Sequence, residues 1–419
     1  MSMYAAQSGF GLLVLTLLAW GLSEDRSRLS WRLVVTGLGL QIAIALVLTK
    51  VPVARDVLVS LNGLVDALMA ATNKGTSFVF GYMGGGSAPF DITYPQHFFV
   101  LGFQALPLVL VVSALSALLW YWRILPWVTK GFAMALQRAF NLGGAVGFGT
   151  AANVFLGMVE APLLIRPYIS RLTRSELFVL MTVGLATVAG TVIVLYAFVL
   201  SSILDGAMGQ IITASLISLP AAVLVAKLMV PGSANEVPTS GDVTSADLGY
   251  QSSMDAVTRG TLDGLSLFLN ILAMLLVLVA LVALANILLG LLPDVFDAPL
   301  TMQRLFGWAF APLVWLMGIP WGEASTAGQL MGTKTVLNEF IAYLDLTNTP
   351  ESALSPRSRL IMIYGLCGFA NFGSVGIMIG GLSAIAPDRR EEITSLAMKA
   401  LVGGTLAAAM TGAVIGMIS

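Results

Sequence analysis

Apolar runs of about 20 residues, the length a helix needs to cross roughly 30 Å of hydrocarbon, recur along this chain between short polar breaks. The runs at 5–22, 33–50, 98–120, 177–203, 207–230, 264–292, 358–385 and 394–418 meet that length and predict eight spans with both termini on one side. Two further segments, 145–165 and 308–340, are apolar but interrupted by Gly, Pro, Glu and Asn. Backbone that leaves the helix at membrane depth is tolerated only against protein or water, so these segments predict re-entrant hairpins. Residues 55–72 carry apolar positions at helical spacing with Asn62 and Asp66 among them, the pattern of an interfacial helix. Residues 84–97, with Gly84-Gly85-Gly86 and Pro89, predict an external loop.

The segment 231–258 is polar, acidic and rich in Ser, Thr and Gly, and predicts a cytoplasmic linker. On either side of it the order is the same: broken hairpin, interrupted helix, helix. One hairpin enters from inside and the other from outside, so the two units are expected to be inverted repeats. The expected division is 1–140 for scaffold helices, interfacial helix and external loop, 141–230 for a first transport repeat, and 231–263 for the linker. A sixth helix in 264–300 returns to the scaffold, and 301–419 forms the second transport repeat. The fold class is therefore an all-α polytopic membrane protein with eight transmembrane helices and two re-entrant helical hairpins.

Composition agrees with the pattern. Charged residues are 10% of the chain, against about 25% in a soluble domain, and the mean hydropathy of +0.90 belongs in a bilayer. A net charge of -1 gives no reason to expect nucleic acid as a partner. One cysteine, Cys367, and one histidine, His97, exclude a disulfide within the chain and argue against a Cys/His zinc site. Met1–Gly21 starts apolar like a signal peptide but lacks a basic leader, and Ser23-Glu24-Asp25 is a poor cleavage site, so it reads as a retained first helix. With loop 23–32 inside, the 21 Lys and Arg divide 14 inside to 7 outside. Positive charge favours the cytoplasmic side, which predicts external termini and, for a bacterial chain, the inner membrane.

Polar side chains inside such spans are costly and usually face protein or a wet cavity. Glu160 precedes Ala161-Pro162, near the tip of the first hairpin, where a helix start favours a carboxylate. It either meets a polar ligand or pairs with Arg166. Asn153 and Thr187 offer an amide oxygen and a hydroxyl, and Thr187-Val188-Ala189-Gly190-Thr191 predicts an unwound point in the fourth helix. Such an oxygen-only set suits Na⁺, although Asn and Thr also bind helices together. In the second half, Glu339, Asn371 and Ser374 combine a carboxylate, an amide and a hydroxyl, as a sugar-like ligand with vicinal hydroxyls requires. Their alternative role is polar packing between hairpin and helix. Glu323 occupies the place of Glu160 in the second hairpin and either caps its turn or meets ligand. His97 and Cys367 read as structural. Two polar sets flanked by Gly or Pro in opposite halves are the pattern of a secondary transporter.

The stretches Gly75–Gly81, Ala151–Pro162, Pro320–Ala324, Asn338–Phe340 and Gly368–Asn371 resemble the concentrative nucleoside transporter family, in order and spacing over nearly the whole chain. The resemblance implies an elevator-type homotrimeric symporter that imports nucleosides, driven by Na⁺ in many members and H⁺ in others, with no further cofactor. It implies that Glu160, with Gly157, Met158 and Val159 beside it, meets the base, that Val192 packs on the base, and that Glu339, Asn371 and Ser374 hold the ribose. Asn153, the carbonyl of Leu156, Thr187 and the carbonyl of Val188 would be the Na⁺ ligands. A proton could ride on Glu160 or Glu339 instead. Many relatives carry Gln and then Ser or Thr where this chain has Met158 and Val159, and Gly373 replaces a common Ser. A same-fold carrier of a modified nucleoside or another polar solute is therefore the alternative. An intramembrane enzyme finds no Ser-His or Cys-His set, and a passive channel does not account for two broken hairpins.

Overall fold

The apolar runs fold into helices whose ends fall at the polar and Gly/Pro punctuation. The computed structural model describes residues 3–28, 30–93, 98–232, 239, 248–295 and 298–419. His97 and half of the segment 231–258 lie outside the described residues. The first helices are α1 (Met3–Gly21), α2 (Trp31–Lys50), α3 (Pro52–Phe80), α4 (Leu108–Tyr121) and α5 (Ile124–Phe140). Next come α6 (Gly144–Leu156), α7 (Glu160–Leu164), α8 (Arg174–Ala186), α9 (Gly190–Leu200) and α10 (Ala207–Met229). Past the linker lie α11 (Ser253–Leu289), α12 (Met302–Leu316), α13 (Trp321–Val336) and α14 (Glu339–Asn348). The chain ends with α15 (Pro356–Leu366), α16 (Phe372–Ile385) and α17 (Arg390–Ile418).

Side-chain caps set many of these boundaries. Ser30, Ser252, Thr301, Asn338, Ser355 and Asn371 each accept a hydrogen bond from the third residue of the helix they start. Thr173 and Glu176 form a reciprocal capping box at α8.

Seven spans expected from the sequence are long and apolar enough to cross a membrane, counting α8 with α9 as one. The expected eighth, 358–385, is two helices, because the chain leaves helical geometry from Cys367 to Asn371 and Gly368 adopts φ +154°. The expected interfacial helix is longer than its amphipathic pattern suggested, running 29 residues from Pro52 to Phe80, and Gly81 at φ +61° ends it. The second expected hairpin contains two corners rather than one. The chain bends by 115° between α12 and α13, then turns again at Leu337–Asn338 before α14.

The centre of the bundle is α8–α9, α10 and α17, whose apolar stretches are 89%, 83% and 78% buried; the apolar stretch of α11 is 0% buried and lies at the periphery. The order of α6–α7, α8–α9 and α10 recurs as α13–α14, α15–α16 and α17. Arg357 fastens one end of the molecule, donating to the carbonyls of Gly318 (2.6 Å), Tyr4 (3.3 Å) and Gly416 and to the Ser8 hydroxyl (3.2 Å). Both termini therefore lie at the same end.

At the opposite end, Glu24 joins Arg174 (2.9 Å) and Lys399 (2.5 Å). The hydrogen bond from Arg174 is the main reason its carboxyl falls from 4.5 to about 2. A depressed carboxylate pKa contributes stability that is complete above the unfolded value and is lost as pH falls through the folded one. Acidification from pH about 4.5 to about 2 should therefore lower the melting temperature more in the wild type than in Glu24→Gln. The difference should be small, because an exposed pair contributes at most about 1 kcal/mol. Parallel acid melting curves for the two proteins would refute this attribution.

Candidate functional site

Four helix interruptions, at Gly157, Thr187, Gly368 and Leu337–Asn338, lie against one another. α6 stops at Gly157, whose φ of +105° is the left-handed region that favours glycine. A Cβ there would lie 3.1 Å from the Ala189 Cβ. Thr187 leaves α8 in an extended conformation (φ -113°, ψ 173°), and its carbonyl accepts the Phe369 N–H at 3.3 Å. Gly368 lies so close that an added Cβ would approach the Ala186 carbonyl oxygen to 2.7 Å. The Asn371 amide then donates to Glu339 at 2.9 Å, joining this break to the corner before α14. The freed backbone groups thus find partners in protein, as hydrocarbon demands.

Where the breaks meet there is a cavity of about 190 Å³. Its lining contains all of Gly157, Met158, Val159, Glu160, Val192, Glu339, Asn371 and Ser374. A roomier hollow of about 440 Å³ lies away from the breaks, beside Arg28 and Lys227. Those cations are already engaged, Arg28 with Asp25 at 2.8 Å and Lys227 with the Phe140 carbonyl at 2.6 Å, and the hollow contains none of the break residues.

The two carboxylates occupy equivalent positions, each the first residue of the helix after a turn, Glu160 in α7 and Glu339 in α14. Helix N-termini favour negative charge. Their surroundings differ. Glu339 is 4% exposed and accepts from the Tyr196 hydroxyl at 2.6 Å and the Asn371 amide at 2.9 Å. Glu160 is exposed to the cavity. One carboxylate is built into the frame and the other is open to a ligand. The ion pairs among the described residues do not include one between Glu160 and Arg166. Glu323 accepts from the Ser355 N–H and hydroxyl, both at 3.1 Å, and lies outside the cavity lining. The positional counterpart of Glu160 is thus Glu339, because the second corner of the chain, not the first, reaches the cavity.

Of the candidate cation ligands, Leu156 lines the cavity, whereas Asn153, Thr187 and Val188 are not part of its lining. Leu156 ends α6 and Thr187 follows the last residue of α8, so both segments present the carbonyl, negative ends of their helices. Asn153 and Thr187 are buried at 2% and 1% exposure, and Val188 is fully buried. The Asn153 amide nitrogen is 3.5 Å from the place a Cβ on Gly184 would take, which puts α6 and α8 face to face. The Thr187 hydroxyl donates to the Val183 carbonyl at 2.9 Å and keeps its lone pairs. Among the described residues no cluster of His, Cys, Asp and Glu could hold a metal, so a cation here would rely on neutral oxygens.

Sequence reasoning missed four groups. Tyr196 reads as one more aromatic in an apolar helix, and its role emerges only through its bond to Glu339. Asn338 caps α14 and also lines the cavity. Lys334 is fully buried and donates to the Gly365 carbonyl at 3.0 Å, on the last turn of α15. A lysine in the apolar stretch Leu330–Val336 was the available signal. Asn270 of α11 also lines the cavity.

Comparison with known proteins gives these positions a context. Family models for the Na⁺-dependent nucleoside transporter match at residues 10–83 (N-terminus) and 210–416 (C-terminus), and a nucleoside-recognition gate model matches at 102–203. The nucleoside permease NupC of Helicobacter pylori is 33% identical, over 97% of this chain and 96% of its own. An uncharacterized transporter of Haemophilus influenzae is 36% identical, over 99% and 98%. Of solved structures, CNTnw in an inward-facing substrate-bound state superposes with a TM-score of 0.89 at 36% identity, covering 99% of both chains. A variant of it in an outward-facing state gives 0.91 at 34%, covering 100% of this chain and 98% of that one.

Tyr196→Phe tests the frame around Glu339, because it removes only the hydroxyl. A hydrogen bond to a charged group is worth about 1.5–3 kcal/mol, so the melting temperature should fall clearly. An unchanged melting temperature would mean that Asn371 and the α14 N-terminus suffice to hold Glu339.

Proposed function

The chain belongs to the concentrative, Na⁺-dependent nucleoside transporter family and is a membrane transporter rather than an enzyme, and on that premise we propose that it imports nucleosides together with Na⁺. The observation that supports this most is the cavity at the meeting of the helix breaks, where a free carboxylate faces a carboxylate, amide and hydroxyl across a small hollow. Glu160 accepts from N–H groups of the base, and Val192 packs on its face. Glu339, Asn371 and Ser374 bind the ribose hydroxyls. Tyr196 and Asn371 hold the Glu339 carboxylate in place, so it meets the ligand with little reorganisation.

Na⁺ binds between the ends of α6 and α8, on Asn153, Thr187 and the carbonyls of Leu156 and Val188. A bound cation there offsets the carbonyl ends of two helices and fixes Gly157–Glu160 against Thr187–Ala189. Ordering that turn aligns Glu160 for the base, which couples ion to substrate. The carrier works in the bacterial inner membrane with external termini, by elevator-type movement of the two repeats against the scaffold. It assembles as a homotrimer, in keeping with the uncovered apolar surface of α11.

Uptake of labelled uridine, adenosine and inosine into proteoliposomes, with a Na⁺ gradient, a pH gradient or neither, tests the reading as a whole. Glu160→Gln keeps shape and removes charge, and should weaken nucleoside affinity at least about tenfold, the loss of a charged hydrogen bond. Asn153→Leu and Thr187→Val should abolish or blunt stimulation by Na⁺. Uptake that follows only the pH gradient would replace Na⁺ by H⁺, and uptake of other polar solutes alone would replace the substrate.

Selectivity follows from Met158 and Val159. Met158 packs against Gly184, where an added Cβ would lie 2.9 Å from its own, and Val159 packs against Gly381 at 2.8 Å. Neither can hydrogen-bond a base. An apolar wall discriminates by only about 1–3 kcal/mol, so wild type should accept several bases and Met158→Gln with Val159→Thr should narrow the range. Competition by unlabelled nucleosides measures this, and a wild type already confined to one base would refute it.

A further inference from the structure

From Leu267 to Ala285, α11 carries one polar side chain, the amide of Asn270. A polar group in an otherwise apolar membrane helix is costly unless it faces water or a partner. Asn270 is exposed, and none of the hydrogen bonds among the described residues uses its amide. It lines the same cavity as the helix breaks, with Leu267, Ile271, Met274 and Leu278 on one stripe of α11. Contact across the cavity rim is close, since the Met274 methyl lies 3.6 Å from where a Gly373 Cβ would be, beside Asn371 and Ser374.

We propose that Asn270 is a substrate-binding residue supplied by the wall opposite the breaks, whose amide hydrogen-bonds the polar edge of the nucleobase. The inference rests on the nucleoside reading above. A carboxamide carries a donor and an acceptor side by side, matching the paired donor and acceptor on a base edge, as Asn does with adenine in other settings. Met158 and Val159 leave that edge with Glu160 alone as a side-chain partner on the side of the breaks, so the amide of α11 is the complementary group. It differs from Glu160 and Glu339 in one respect. The breaks travel together with the ligand, whereas α11 belongs to the stationary scaffold, so this bond exists only while the cavity faces Asn270. A contact present before movement and absent during it strengthens binding without speeding the step.

The test is nucleoside uptake and equilibrium binding with wild type, Asn270→Leu, Asn270→Gln and Glu160→Gln. Asn270→Leu should raise KM and Kd about threefold to tenfold, the range for one hydrogen bond, with maximal rate unchanged or higher. Asn270→Gln, which keeps the amide, should lie nearer wild type. A purely structural role would instead lower maximal rate and melting temperature at constant KM, and that result overturns the inference. A wild type that binds no nucleoside removes the premise. Normal binding by Asn270→Leu beside impaired binding by Glu160→Gln removes this inference alone.

Discussion

Backbone N–H and C=O groups released from a helix inside hydrocarbon must find protein partners, and this requirement organises the molecule. A lone broken helix in lipid would leave several such groups unpaired, each at a cost of several kcal/mol. Here the interruptions satisfy one another. The Thr187 carbonyl takes the Phe369 N–H, Gly157 abuts Ala189, and Asn371 reaches Glu339. Once the breaks are forced together, their helix ends are concentrated in one place. N-termini gather around the cavity and C-terminal carbonyls gather behind it, so one constraint creates both an anion-favouring and a cation-favouring layer.

The buried charges fit the same frame. Glu339 and Lys334 are both almost without solvent, on the two sides of the Leu337–Asn338 corner. Removing water from an ion costs several kcal/mol unless its partners compensate. Glu339 has a phenol, an amide and a helix N-terminus, while Lys334 has the Gly365 carbonyl at the closing turn of α15. Each charge sits at the helix end of the opposite sign. Opposing helix dipoles hold an acid and a base a few residues apart without a direct ion pair. The frame is polar but close to neutral.

Much of this was legible in sequence, for reasons that differ from place to place. Long apolar runs and their Ser, Thr and Pro caps are local signals, so seven spans and most of their ends could be read directly. The break at Thr187 was visible because Gly190 and polar residues interrupt a hydrophobic stretch. The break at Cys367–Asn371 was legible from the glycines around Asn371, whereas its exact place was not, since Gly368 becomes obligatory only against Ala186 of a distant segment. The second corner was misplaced for a similar reason. Pro320 and Gly322 signal the bend after α12 strongly, whereas Leu337–Asn338 has only an N-cap asparagine to mark it. The residues around the cavity were identifiable because carboxylates and amides are rare in such a chain. Tyr196 was not, because a tyrosine among apolar residues looks the same whether or not its hydroxyl meets an acid.

The Arg357 fastening has a consequence for biosynthesis. It joins Tyr4 and Ser8 in the first helix to Gly416 near the end of the last, through a guanidinium in α15. α1 also packs along α17. During synthesis α1 enters the bilayer hundreds of residues before its partners exist, and it must wait beside the growing bundle with Ser8 and its close-packing Gly11 surface uncovered. Contacts this distant in sequence form late and slowly. Assembly therefore ends with a closing step rather than growing steadily from one end, and a ribosome that stalls before α17 leaves every earlier helix inserted but the bundle open.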